Sequence, residues 1–310
     1  MRFGVCLPNF PFGIPPMRDA ILEVARSAER LGYDSVWATD HVLVPKDKPR
    51  YARVFEAITT LAYVGGATRR VRLGASVLIL AQRNAIVVAK QIASLDALTE
   101  GRVILGIGAG WMDGEFAALG ADFHRRGRNT DEGIRAMKVL WRDADPVFDG
   151  AFYRFRDVVC DPKPAQPGGP PVWIGGNSEA ALRRAATVAD GWHADDAPID
   201  QLKAKGDSVR AQAKAAGRSV EVSLRRTVDM RSAAAAAGRL PGPAQGGSPE
   251  GRWPGASAGA LAGSVDEVRS EVAQAAQAGV THFICQFEHA SQREHLVSLE
   301  LFAEGILAHL

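Results

Sequence analysis

Cysteine is scarce: Cys6, Cys160 and Cys285 are the only three in 310 residues. An odd number with no CxxC spacing excludes a disulfide framework and a thiolate zinc site, and it fits a reducing compartment. No run approaches the roughly 20 apolar residues of a membrane span. The opening MRFGVCLPNF lacks the basic-then-apolar pattern of a secretory signal. The expectation is a cytoplasmic protein with no membrane partner. The formal net charge is only +2 and no long Lys/Arg block stands out, which argues against a nucleic-acid surface. The densest basic spot, Arg125–Arg128, reads as a solvated helix start or a local anion contact. His124, His193, His282, His289, His295 and His309 form no HxxxH pair, so no metal site is expected. A GxSxG nucleophile elbow is also missing, which leaves α/β-hydrolase chemistry without support.

What is present is a rhythm. Short apolar, β-branched runs alternate with amphipathic helical segments. The clearest unit spans Val71–Trp111: a strand (Val71–Leu80), a helix (Ala85–Leu98) and a second strand (Arg102–Ile107) that ends in Gly108-Ala109-Gly110-Trp111. Before it, strands are expected at Arg2–Pro8 and Ser35–Ala38, followed by helices at Arg18–Leu31 and Val54–Gly65. After it come helical stretches at Asp113–Leu119 and Thr130–Arg142. Further strands are expected at Val172–Gly175, Gly191–Ala194, Val220–Val228 and His282–Phe287. Their helices are Ser178–Ala189, Leu202–Ala216, Val265–Ala278 and Arg293–Leu310. Eight strand–helix units in this length match a (β/α)8 TIM barrel better than an open doubly wound sheet. The reading is one α/β domain over residues 1–310 with two insertions. Residues 146–171 carry Asp149-Gly150 as a hairpin signal. Residues 232–263 are Ala/Gly/Pro/Ser-rich without periodicity, and read as either a mobile lid or a disordered loop.

In such a barrel the chemistry sits at the carboxyl ends of the strands. Asp40-His41 follows strand 2. It reads as an acid/base pair, with Asp40 orienting His41, or as a packed strand end. Gly175-Gly176-Asn177-Ser178 precedes a helix. It reads as a phosphate-binding turn or as a helix cap, and the two are compatible. Gly106, Gly108 and Gly110 are spaced GxGxG rather than GxGxxG, without the acidic residue of a dinucleotide fingerprint. They make a tight turn, or they let a flat ring lie on the backbone.

Taken together, these residues resemble the luciferase-like monooxygenase superfamily, and within it the oxidoreductases that depend on the deazaflavin coenzyme F420. The resemblance is carried by AERLGYDSVWATDHV (28–42), Val71–Trp111, RGRNTDEGIRAMKVLW (126–141), PPVWIGGNSEAALRRAATVADGW (170–192) and GSVDEVRSEVAQAAQAGVTHF (263–283). It implies a TIM barrel, usually a homodimer, that binds F420 and a small organic substrate. By the same resemblance, Asp40 and His41 lie beside the reactive centre. Ser76-Val77 forms a non-proline cis peptide that backs the ring. Asn9, Gly108 and Gly110 border the cofactor, and Gly175, Gly176, Asn177 and Ser178 take its phosphate. A deazaflavin lacks the nitrogen position at which flavins react with oxygen, so it carries hydride. The alternative is an FMN-dependent monooxygenase fed by a separate reductase; a non-catalytic cofactor-binding protein comes third. An aldolase-type barrel is disfavoured, because no lysine ends an inner strand. The chain departs from the family pattern at Gln82-Arg83-Asn84-Ala85, where a proline is usual, and in the proline-rich stretch after Asn9.

Overall fold

The structure is a computed structural model that describes residues 1–11, 15–241, 260–289 and 291–310. Eight strands form the barrel: β1 (Arg2–Cys6), β2 (Ser35–Ala38), β3 (Arg72–Ile79), β4 (Val103–Gly108), β5 (Val172–Gly175), β6 (Gly191–Asp195), β7 (Glu221–Asp229) and β8 (His282–Phe287). Each pairs in parallel with the next, and β8 pairs with β1 through Arg2↔His282, so the sheet closes. The strands are buried almost throughout, as expected where helices cover one face and barrel contents the other.

The interior is filled by large rings set over glycines. Trp37 and Trp173 stack at 5.4 Å, and His193 lies over Trp37 at 5.2 Å. A Cβ on Gly74 would sit 2.2 Å from the Trp37 ring, and one on Gly191 would sit 2.4 Å from Trp173. The missing side chains therefore admit the indoles. The polar edges of this layer are paired. Trp37 Nε1 donates to Ser35 Oγ, which also meets His282 Nε2 at 2.7 Å. This layer of rings fills the middle of the barrel.

The helices that matter for the site are α1 (Arg18–Leu31), α2 (Ala57–Ala67), α3 (Ala85–Leu98), α4 (Asp113–Ala118), α5 (Arg126–Arg142) and α6 (Glu179–Val188). Helix α2 begins three residues later than expected because Glu56, not Val54, caps it by accepting from the Thr59 N–H. Helix α5 begins earlier, at Arg126 rather than Thr130. Asn84, where the family pattern breaks, caps α3 by accepting from the Ile86 N–H. The remaining helices are α7 (Ile199–Ala215), α8 (Arg231–Ala236), α9 (Val265–Gln277) and α10 (Gln292–Gly305), the last shorter than expected.

The first insertion holds the hairpin expected at Asp149-Gly150: Phe148–Asp149 pairs antiparallel with Arg154–Phe155. Asp149 ends the first strand, and residues 150–153 form the loop. Glu132 of α5 holds that loop by accepting from the N–H groups of Ala151, Phe152 and Tyr153. The second insertion, read from residue 232 as a mobile lid or a disordered loop, begins as helix α8. Its alanine run has the strongest intrinsic helix propensity even without an apolar period. Leu261–Ala262 adds a short parallel strand beside β7. The rest of the expected lid, residues 242–259, lies outside the described residues.

Candidate active site

A cavity of about 780 Å3 opens at the carboxyl ends of the strands, within the roughly 300–1,000 Å3 usual for small-molecule sites. All the residues expected from sequence to form the site line it except Asn9. Asn9 is buried, and its amide staples strand ends together. Its Oδ1 accepts from Thr39 N, and its Nδ2 donates to Thr39 O and Phe55 O. The structure thus places Asn9 behind the cavity wall rather than in it, where its carboxamide serves backbone pairing.

Asp40 and His41 leave β2 side by side, but they do not act on each other. The Asp40 carboxylate receives a two-pronged bond from the Arg83 guanidinium, 2.8 Å to each oxygen, and a third bond from the Ile79 N–H. Burial pushes its carboxyl up, and the Arg83 charge opposes that. The expected Asp40–His41 pair is thus replaced by an Asp40–Arg83 clamp across β2 and β3. His41 instead bonds through Nδ1 to Glu115 of α4, at 2.9 Å. Its ring also meets Tyr51 edge-on at 5.1 Å and Trp111 at 6.4 Å. Trp111 is 53% exposed, unusually open for an indole that lines a cavity.

The Ser76–Val77 peptide bond is cis. Ser76 Oγ bonds His193 Nε2, and His193 Nδ1 bonds Ser223 Oγ, both at 2.8 Å. Burial holds His193 down at a pKa of about 3. Val77 explains two glycines. A Cβ on Gly108 would lie 2.7 Å from Val77 Cγ2, and one on Gly175 would lie 2.6 Å from Cγ1. Gly108 makes room for Val77, a role that neither reading of the β4 turn named. Gly110, at φ +83°, makes the turn, and Phe116 and Ile79 fill the space beside it.

Across the cavity, Gly175-Gly176 turns into α6. Gly176 takes φ +107°, and Ser178 caps the helix by accepting from Ala181 N. The Asn177 amide pairs with the backbone of Asp195. The first N–H groups of a helix have no partner within it and carry its positive dipole end. Two arginines also line the cavity. Arg184 is paired with Asp131. Arg126 lies over the Phe123 ring and donates to the carbonyls of Gly110 and Phe123. Among the described residues, no carboxylate pairs with it.

The third wall is polar, and sequence reading did not assign it. Arg225 of β7 binds Asp195 at 2.7 Å and reaches the Ser76 carbonyl. Burial works against its charge, but Asp195 more than restores it and holds the guanidinium above its ordinary pKa. Gln286 donates to Glu288, which also meets Arg50. Burial pushes the Glu288 carboxyl up. Among the described residues, no group of three or more His, Cys, Asp or Glu side chains is arranged to hold a metal ion, and no helix is long and apolar enough to cross a membrane.

Comparison with known proteins gives the setting for this geometry. The chain is 34% identical over 172 residues to the FMNH(2)-dependent dimethylsulfone monooxygenase of Pseudomonas putida, covering 54% of this chain and 47% of that one. It thus spans about half the length of that relative. An uncharacterized protein of Mycobacterium tuberculosis is 34% identical over 232 residues, covering 69% of this chain and 77% of that one. Monooxygenase RslO1 from Streptomyces bottropensis superposes with a TM-score of 0.80 at 25% identity, covering 100% of this chain and 99% of that one. An F420-dependent secondary alcohol dehydrogenase, solved with an F420-acetone adduct, shares the fold with a TM-score of 0.77 at 20% identity, covering 99% and 98% of the two chains. The family model described as luciferase-like monooxygenase matches residues 1–245, and the chain belongs to that family.

Proposed function

We propose that the chain is an oxidoreductase that uses the deazaflavin coenzyme F420 to move a hydride to or from a small organic substrate, with His41 as the proton-transfer group. One observation carries this reading. A single cavity is lined by a carboxylate-bound histidine at the end of β2, by Val77 of β3 and by the Gly-rich N-terminus of α6 after β5.

The residues fit such a coenzyme. Gly176 and Ser178, with the first N–H groups of α6 and the uncompensated Arg126, would hold its phosphate. Val77 and the Ser76 backbone would back its ring. When bound, the coenzyme supplies the hydride chemistry, and the protein supplies orientation and proton handling. His41 gives or takes the substrate's proton. The Asp40–Arg83 clamp fixes the ends of β2 and β3, so the histidine and Val77 keep their spacing. Tyr51 and Trp111 meet the His41 ring edge-on and each other, and so border the approach to it. The resemblance of the WATDHV and GIGAGW passages favours the deazaflavin.

A second reading is an FMN-dependent monooxygenase served by a separate reductase. The 34% and 37% identity to two Pseudomonas FMNH(2)-dependent dimethylsulfone monooxygenases supports it. Titrating the purified protein with F420 and with FMN separates the two. The proposal expects F420 to bind at least about tenfold more tightly, a difference of roughly 1.4 kcal/mol. Tighter binding of FMN would overturn it in favour of the second reading.

A further inference from the structure

Glu115 was not singled out by any motif, yet its side chain is wholly buried, and it meets three consecutive residues of the segment after β2. One oxygen accepts from His41 Nδ1 at 2.9 Å; the other accepts from the backbone N–H groups of Val42 at 2.6 Å and Leu43 at 3.2 Å. Burial pushes its carboxyl up, but the bonds from His41, Val42 and the Gln82 side chain outweigh burial and hold it below the ordinary carboxylate range. An ionised carboxylate only accepts, so the Nδ1 of His41 must carry the proton.

We propose that Glu115 is a positioning residue for this site: it holds His41 in the Nδ1–H tautomer, so that Nε2 is the one ring nitrogen left to exchange a proton with a bound molecule. This rests on the reading of His41 as the proton-transfer group. Asp40 is not placed for the task, since both its oxygens are taken by Arg83 and Ile79. A purely structural clamp on the loop would need only the Val42 and Leu43 bonds. The bond to Nδ1 is the part that bears on chemistry, because the partner of one imidazole nitrogen decides what the other does.

The donor count gives a sharp test. In Glu115→Gln the side chain offers one acceptor oxygen and one NH2 group where the carboxylate offered two acceptors. The backbone N–H groups of Val42 and Leu43 cannot change, so they keep the oxygen. The NH2 group then faces Nδ1, and His41 must accept there and move its proton to Nε2. The experiment uses the full chain without cofactor, labelled with 15N at histidine, at a pH where the imidazoles are neutral. Two-bond 15N–1H spectra read the tautomer, and the signal absent from His41→Gln identifies His41.

The expected result is Nδ1–H in the wild type and Nε2–H in Glu115→Gln, a swing of at least about tenfold in the tautomer ratio, the scale of one hydrogen bond to a charged group. A wild type in the Nε2–H form overturns the proposal, and so does a folded Glu115→Gln that keeps the Nδ1–H form. If Glu115→Gln fails to fold, the wild-type spectrum alone decides between the two forms. Because this readout needs no cofactor or substrate, it separates failure of the proposal from failure of the coenzyme reading. Loss of the catalytic role for His41 would instead appear as unchanged turnover in His41→Ala beside the expected tautomers.

Discussion

The two ends of the cavity are built on opposite principles. At the β2 end every charge is answered within the protein. Asp40 is saturated by Arg83 and the Ile79 N–H, and Glu115 by His41, Val42 and Leu43. At the α6 end the positive charge is left standing. Ser178 Oγ takes one N–H of the first turn of α6, that of Ala181, and Arg126 has no carboxylate partner among the described residues. A proton-transfer group needs fixed geometry before anything binds. An anion site instead needs charge that only the ligand completes. The contrast therefore separates a preorganised end from a receptive one.

The strongest way to break this division is to remove His41. Turnover in His41→Ala should fall about 10²- to 10⁴-fold, the usual worth of a positioned acid or base, while F420 affinity stays nearly unchanged. Steady-state rates alongside a cofactor titration measure both. Next is the clamp beneath it. Asp40→Ala leaves the Arg83 charge without its main partner in a mostly buried place, and should cost about 3–5 kcal/mol in urea unfolding. A double variant with Arg83→Met should recover most of that loss. At the receptive end the effect should be on binding alone. Arg126→Ala should weaken F420 about 10- to 100-fold and flatten the salt dependence of its affinity, with turnover at saturating cofactor preserved.

Two further buried histidines sharpen the comparison. His289 and His295 are buried, and none of their ring nitrogens makes a hydrogen bond among the described residues. Burial holds them at pKa values of about 4 and about 3. Asp229 pulls His289 upward and Arg231 pushes it down, while His289 itself lowers His295. The ordinary value is near 6.5. Above that pH neither the folded nor the unfolded chain protonates these groups, so stability is full. As pH falls below 6.5 the unfolded chain takes up protons that the folded chain refuses, and stability drops until the folded values are reached. The loss should approach about 1.4 kcal/mol per pH unit for each such histidine. Denaturant melts between pH 7 and pH 5 should show it, and His295→Phe should reduce the slope by one proton.

Most of the barrel was legible because strand and helix periods alternate along the chain, and because burial on both faces makes the strands read as apolar runs. The Gly175–Ser178 turn was legible for a similar reason: helix entry leaves a local signature. What escaped depends on contacts that sequence distance hides. Glu115 lies 74 positions from His41, whereas the adjacent Asp40 offered itself as the partner and faced elsewhere. The glycines at 108 and 175 spoke only of missing side chains, and Val77, which needs the space, is on another strand. Helix α8 was missed because an alanine run has propensity without periodicity.

The most direct test of the account is a crystal structure of the full chain with F420 bound. The account predicts the coenzyme's phosphate at Gly176–Ser178 beside Arg126, its ring against Val77, and the reactive face of the ring turned toward His41. A phosphate bound elsewhere, or a ring lying away from Val77 and His41, would contradict it.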